Sequence, residues 1–127
     1  MAYILVADDD DILAELVQFR LEGSGHEVQI AEDGEAALEQ TRARTPDLIV
    51  LDSMMPILSG PEVLRTLRAE ERFAKIPVLM LTARNGQEDI VGALRGGASE
   101  YMTKPFIPEE LLARVEKLLA SAASSDG

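Results

Sequence analysis

Four consecutive aspartates, Asp8 to Asp11, follow directly on the apolar run YILVA, and Asp52 closes another, DLIVL. Carboxylates are almost never buried unpaired, so an acidic cluster at the end of an apolar run calls for a cation. Two carboxylates about 5 Å apart repel by roughly 3 kcal/mol at an effective dielectric near 20. Every candidate ligand is a hard oxygen. The chain has no Cys, and its one histidine, His26, lies away from the aspartates. Such a donor set favours Mg²⁺, with Mn²⁺ as a substitute, over zinc or copper. Asp8, Asp9 and Asp52 around a divalent ion leave about one negative charge, which Lys104 can balance. A metal, an amine and the Thr82 hydroxyl around one aspartate make a site for a phosphoryl group. Asp52 is its natural nucleophile.

These residues meet only if the fold carries them to one rim. Short apolar runs over 3–7, 27–31, 47–52, 76–82 and 99–103 read as strands. Helical spacing predicts helices over 10–22, 33–44, 60–70, 88–96 and 108–120. On the first, Leu13, Leu16, Val17 and Leu21 form the expected core stripe. On the last, Leu111, Leu112, Val115, Leu118 and Leu119 form the inner face. Strand then helix, five times, implies an α/β, doubly wound parallel sheet. Ligands bind such sheets beyond the carboxyl ends of the strands. Asp8, Asp9, Asp52, Thr82, Lys104 and Pro105 all fall there.

Composition bounds the function. With 127 residues, 46% of them hydrophobic, the chain reads as one domain with its own core. Twelve basic and 23 acidic residues give a net charge of −11, which argues against direct nucleic-acid or anionic-membrane binding. Without cysteine there is no disulfide, thiolate metal site or cysteine nucleophile. No apolar run reaches the roughly 18 residues of a membrane span, and no signal peptide is recognised, so a cytoplasmic location is expected. The domain is expected over residues 1–120, and the small, polar segment 121–127 as a disordered tail or linker stub.

Five motifs in order, ILVADDD, PDLIVLDSMMP followed by SG, PVLMLTA, GASEYMTKPF and EELLARVEKLL, resemble the response-regulator receiver domain. This CheY-like phosphoacceptor module of two-component signalling is matched over about residues 3–120. The resemblance implies a five-stranded (βα)5 sheet of order 2-1-3-4-5. It implies that Asp52 is the phosphoacceptor and that Asp8 and Asp9 are the acidic pair holding Mg²⁺. Met54 would ligate through its backbone carbonyl. Thr82 matches the switch hydroxyl, Lys104 the lysine that pairs with the phosphoryl group, and Tyr101 the aromatic that moves inward on activation. Met54 and Arg84 stand at positions that tune phosphoryl lifetime. The Lys104–Pro105 bond is expected to be cis, because Lys104 must point back toward Asp52 while the chain turns away to the last helix. Ser53 and Ser59 depart from the family pattern without touching the core chemistry.

The implied partner is a histidine kinase or histidine phosphotransfer protein. Its phosphohistidine would supply the group, and the face of fourth helix, fifth strand and fifth helix would then change. Gly92 inside the fourth helix costs about 1 kcal/mol relative to Ala and suits it to remodelling. KPF and EELLARV, with Arg114 set to pair with Glu100, resemble the OmpR-like subfamily. That implies a monomer that dimerises on phosphorylation. Ser99 replaces an acidic residue of that network. The downstream effector or output domain is not given by the sequence.

Other readings attach to several of these residues. Asp10 and Asp11 read as helix caps, Glu32 and Asp33 as turn and cap, His26 as structural, and Met55 as core filler. Ile12 and Phe19, with Phe106, form either packing against the last helix or a docking face for the kinase. A nucleotide or flavin binder would need an anion loop where four aspartates stand. An aspartate-nucleophile, Mg²⁺-dependent phosphatase of the haloacid-dehalogenase type wants a second Asp where Met54 stands. A receiver fold used only for protein binding would lack an acid, the Thr or the Lys. None of the expected activities is that of a turnover enzyme.

Overall fold

Four short runs with Val, Ile or Leu form strands β1 (Tyr3–Ala7), β2 (Glu27–Ala31), β3 (Leu48–Asp52) and β4 (Val78–Ala83), and the run EYMTK forms β5 (Glu100–Lys104). The computed structural model describes residues 2–83 and 96–125. All four strand pairings are parallel, in the order β2-β1-β3-β4-β5. Helices α1 (Asp11–Glu22), α2 (Gly34–Ala43), α3 (Gly60–Ala69) and α4 (Pro108–Ser125) flank the sheet. The expected helix over 88–96, with Gly92, falls, all but its last residue, outside the described residues, as does Arg84.

Element ends moved for local reasons. β4 starts at Val78 rather than at 76, because Pro77 has no N–H for the ladder. α4 runs to Ser125, past the expected end at 120; Ala120, Ala122 and Ala123 are strong helix formers.

The strand period of two sorts the core. Leu5, Ala7, Ile49, Leu51, Val78 and Met80 pack with Leu38, Val63, Leu64 and Leu67 of α2 and α3. Ile4, Val6, Leu48, Val50, Leu79, Leu81 and Met102 pack with Val17, Leu21, Leu111 and Val115 of α1 and α4. On α1 the expected Val17 and Leu21 are buried, joined by Ala14 rather than by Leu13 and Leu16. Leu13 is half-buried and Leu16 is 46% exposed. His26 has the expected structural role. It is buried, accepts from the Ala2 N–H at 3.2 Å, and its Nε2 lies 2.6 Å from Glu116 Oε1.

Candidate functional site

Continuing each strand's alternation by one step places the charged residues. Asp8 follows Ile4 and Val6, Asp52 follows Leu48 and Val50, and Lys104 follows Met102, so all three belong to the α1/α4 side. Asp8 and Asp52 are buried, whereas Asp9 is exposed. One carboxylate oxygen from each of Asp8, Asp9 and Asp52 lies within 4.8 Å of the others. Lys104 Nζ bridges two of them, at 3.3 Å from Asp8 Oδ2 and 3.2 Å from Asp52 Oδ1. The Lys104–Pro105 bond is cis, as expected.

Local chemistry holds the carboxylates. Asp8 accepts from the Asp10 N–H at 2.9 Å through Oδ1. Asp10 caps α1 by accepting from the Leu13 N–H at 3.1 Å, the expected capping role. Asp52 Oδ1 faces the Met54 N–H at 3.4 Å. Loss of water on burial, reinforced by the Asp8 charge, pushes the Asp52 carboxyl up to about 6 despite Lys104. Burial also pulls on the Lys104 ammonium, but the charges of Asp52 and Asp8 outweigh it and raise its pKa. Three carboxylates against one ammonium leave two negative charges, the charge of one divalent ion. Oxygen-only donors at this spacing fit Mg²⁺.

Thr82 follows Val78 and Met80, so its alternation belongs to the α2/α3 side of the same rim. It is fully buried, and its hydroxyl has no hydrogen-bond partner among the described residues. Tyr101 is half-buried against the α2/α3 cluster. Met54 is 70% exposed, while Met55 packs against the core. Ile12 and Phe19 are 82% and 77% exposed and therefore do not pack against the last helix. Ile12, Leu13, Leu16, Met54 and Phe106 line a groove of about 680 Å³ that opens beside Asp9, Asp52 and Lys104.

Sequence reasoning missed the loop between β3 and α3. Ile57 has φ +72, a left-handed conformation unusual for a β-branched residue. A Cβ at Gly60 would lie 2.3 Å from the Asp52 carbonyl oxygen, and one at Gly34 would lie 2.2 Å from that of Leu58. It also missed Arg68, whose guanidinium donates to the carbonyls of Phe73, Ala74 and Gly97. The DG and SG pairs were the only signals for the two glycines.

A family model, that of the response regulator receiver domain, matches residues 4–116. The alkaline phosphatase synthesis transcriptional regulatory protein PhoP of Bacillus subtilis is 48% identical over 116 residues, 91% of this chain and 48% of PhoP. The DNA-binding dual master transcriptional regulator RpaA of Synechocystis is 46% identical over 119 residues, 94% of this chain and 49% of RpaA. The chain thus spans about half the length of these curated relatives. Among solved structures, the Francisella response regulator 1452 receiver domain superposes with a TM-score of 0.88 at 36% identity, covering 95% of this chain and 98% of that one. The Vibrio cholerae chemotaxis protein CheY4 gives 0.87 at 32% identity, covering 93% and 98%.

Proposed function

The chain belongs to the response regulator receiver family, signalling proteins rather than turnover enzymes, and we propose that Asp52 is its phosphoacceptor. A histidine kinase is the partner that membership implies; a histidine phosphotransfer protein would serve as well. The observation that carries the assignment is the placement of Asp52 at the end of the central strand, inside the Asp8–Asp9–Lys104 cluster. With its carboxyl at about 6, Asp52 is mostly ionised at neutral pH and able to attack.

A carboxylate oxygen of Asp52 attacks the phosphorus of a partner phosphohistidine. The P–N bond breaks, and the imidazole leaves with its electron pair and takes up a proton. Asp8, Asp9, Asp52 and the Met54 carbonyl would hold Mg²⁺, which supplies neutralisation of the charge on the transferring group. Lys104, already against Asp52, turns to the phosphoryl oxygens. Thr82 is the hydroxyl with a hydrogen bond still to donate, and an aspartyl phosphate brings new acceptors. Its movement leaves space that Tyr101 fills, altering the face that includes β5 and α4. Arg114 on that face pairs with Glu100 at 2.6 Å, and dimerisation there on phosphorylation follows the OmpR-like pattern. Met54 and Arg84 tune phosphoryl lifetime. The apolar groove beside Ile12 and Phe106, with Phe19 further along α1, receives the phosphohistidine-bearing partner. Among the described residues no helix is long and apolar enough to cross a membrane.

The test is intact mass after incubation with Mg²⁺ and a small phosphodonor. Wild type should gain one phosphoryl group and Asp52→Asn none. Equal uptake by Asp52→Asn would sink the assignment.

A further inference from the structure

The loop over 53–59 leaves the end of β3 and is pinned at three places. At its ends, the Gly60 N–H donates to the Ser53 carbonyl at 3.0 Å. In its middle, the Leu58 N–H donates to the Pro56 carbonyl at 2.8 Å across Ile57 at φ +72, which is γ-turn geometry. On its outer side, Leu58 rests against Gly34, the first residue of α2. A Cβ at Gly34 would stand 2.2 Å from the Leu58 oxygen and 2.6 Å from its Cβ, closer than atoms allow. Pro56 and the γ-turn stiffen the segment between Leu58 and Met54, so a push at Leu58 reaches the Met54 peptide beside Asp52 Oδ1.

The geometry points to Gly34 as a positioning residue for the metal site: its missing side chain seats the loop that carries Met54. This rests on the proposed role of Met54 and Asp52 as metal ligands. Gly34 touches none of the acids itself. Its effect must travel through the loop, and a change there separates metal affinity from stability.

The experiment is calorimetric titration of the full chain with Mg²⁺, beside thermal melts in chelator. Gly34→Ala should bind Mg²⁺ about 10-fold more weakly, as when a supporting contact behind a metal ligand is lost. Leu58→Gly, which removes the Cβ on the other side of the seat, should weaken it in the same direction. Thr41→Ala loosens the far end of α2, where its hydroxyl donates to Ala37; it should lower the melting temperature and keep Mg²⁺ affinity. Wild-type affinity in both Gly34→Ala and Leu58→Gly, whatever their melting temperatures, overturns the inference. If Gly34→Ala does not fold, Leu58→Gly alone decides. A wild-type protein that binds no Mg²⁺ would instead remove the metal-site reading, and this inference with it.

Discussion

Replacing Asp52 by Asn should stabilise the metal-free protein at neutral pH. The Asp52 carboxyl moves from 3.8 to about 6 on folding, and each pKa unit corresponds to about 1.4 kcal/mol. The shift already nets the attraction of Lys104 against burial and Asp8. Taken whole it is about 3 kcal/mol; the rim opens to solvent at Asp9, and screening reduces it to about 1–2 kcal/mol. For a domain of this size that is about 3–8 °C in melting temperature. The sign follows from proton binding. The folded state holds the Asp52 proton more tightly than the unfolded chain, so the ionised form is the destabilising one. Stability from this group is full below about pH 4, falls between about 4 and 6, and is lost above that. Asn carries no charge at any pH. Melts of wild type and Asp52→Asn in chelator should therefore coincide near pH 4, separate between about pH 4 and 6, and stay apart above that, with the variant higher. Millimolar Mg²⁺ should close the gap by raising wild type. Coincident curves at pH 7.5, or a variant that melts lower there, would refute the reasoning.

Thr82→Val keeps the shape of the side chain and removes a buried hydroxyl that has no partner among the described residues. It should raise metal-free stability by about 1 kcal/mol while abolishing the change at Tyr101 on phosphorylation, read by NMR shifts of the ring. Ile57→Gly relieves a left-handed β-branched residue that is 67% exposed. Stability should rise by about 1 kcal/mol after the added entropy of the unfolded glycine, and a lower melting temperature would count against strain there. Asp9→Ala should abolish Mg²⁺ binding by calorimetry and phosphoryl uptake by mass. The phosphorylated protein should sediment as a dimer and phosphorylated Arg114→Glu as a monomer; a wild type that stays monomeric removes the dimer reading.

Asp8, Asp52 and Lys104 were legible because each ends a run whose period of two dictates its side of the sheet. The parallel sheet was legible from strand and helix alternating five times, and its order from the resemblance to the receiver domain. Leu16 was misread because helical spacing alone does not choose between two adjacent apolar stripes. In the fold Ala14, not Leu16, joins Val17 and Leu21 on the buried side. Ile57, Gly34 and Gly60 were not legible for another reason. Their roles depend on segments that meet only in the fold, and a glycine in DG or SG reads first as a turn. Arg68 looks like an exposed helical arginine, yet it satisfies three carbonyls from two other segments.

Three unfavourable features of the fold lie around one end of the sheet. Asp52 is ionised at a cost, Thr82 hides a hydroxyl without a partner among the described residues, and Ile57 holds a left-handed turn close by. Other polar groups pair: Ser59 and Glu62 complete a capping box, Asp33 caps α2, and Arg44 grips Glu27. The unsatisfied groups at the rim also share a remedy. A divalent ion removes the repulsion among the carboxylates, and a phosphoryl group on Asp52 gives both Lys104 and Thr82 an acceptor. Two arrangements of the rim can then lie close in free energy, and a small covalent change can choose between them. If every one of these groups were satisfied in the resting state, phosphorylation would have no differential interaction with which to shift the face that carries Tyr101 and Arg114.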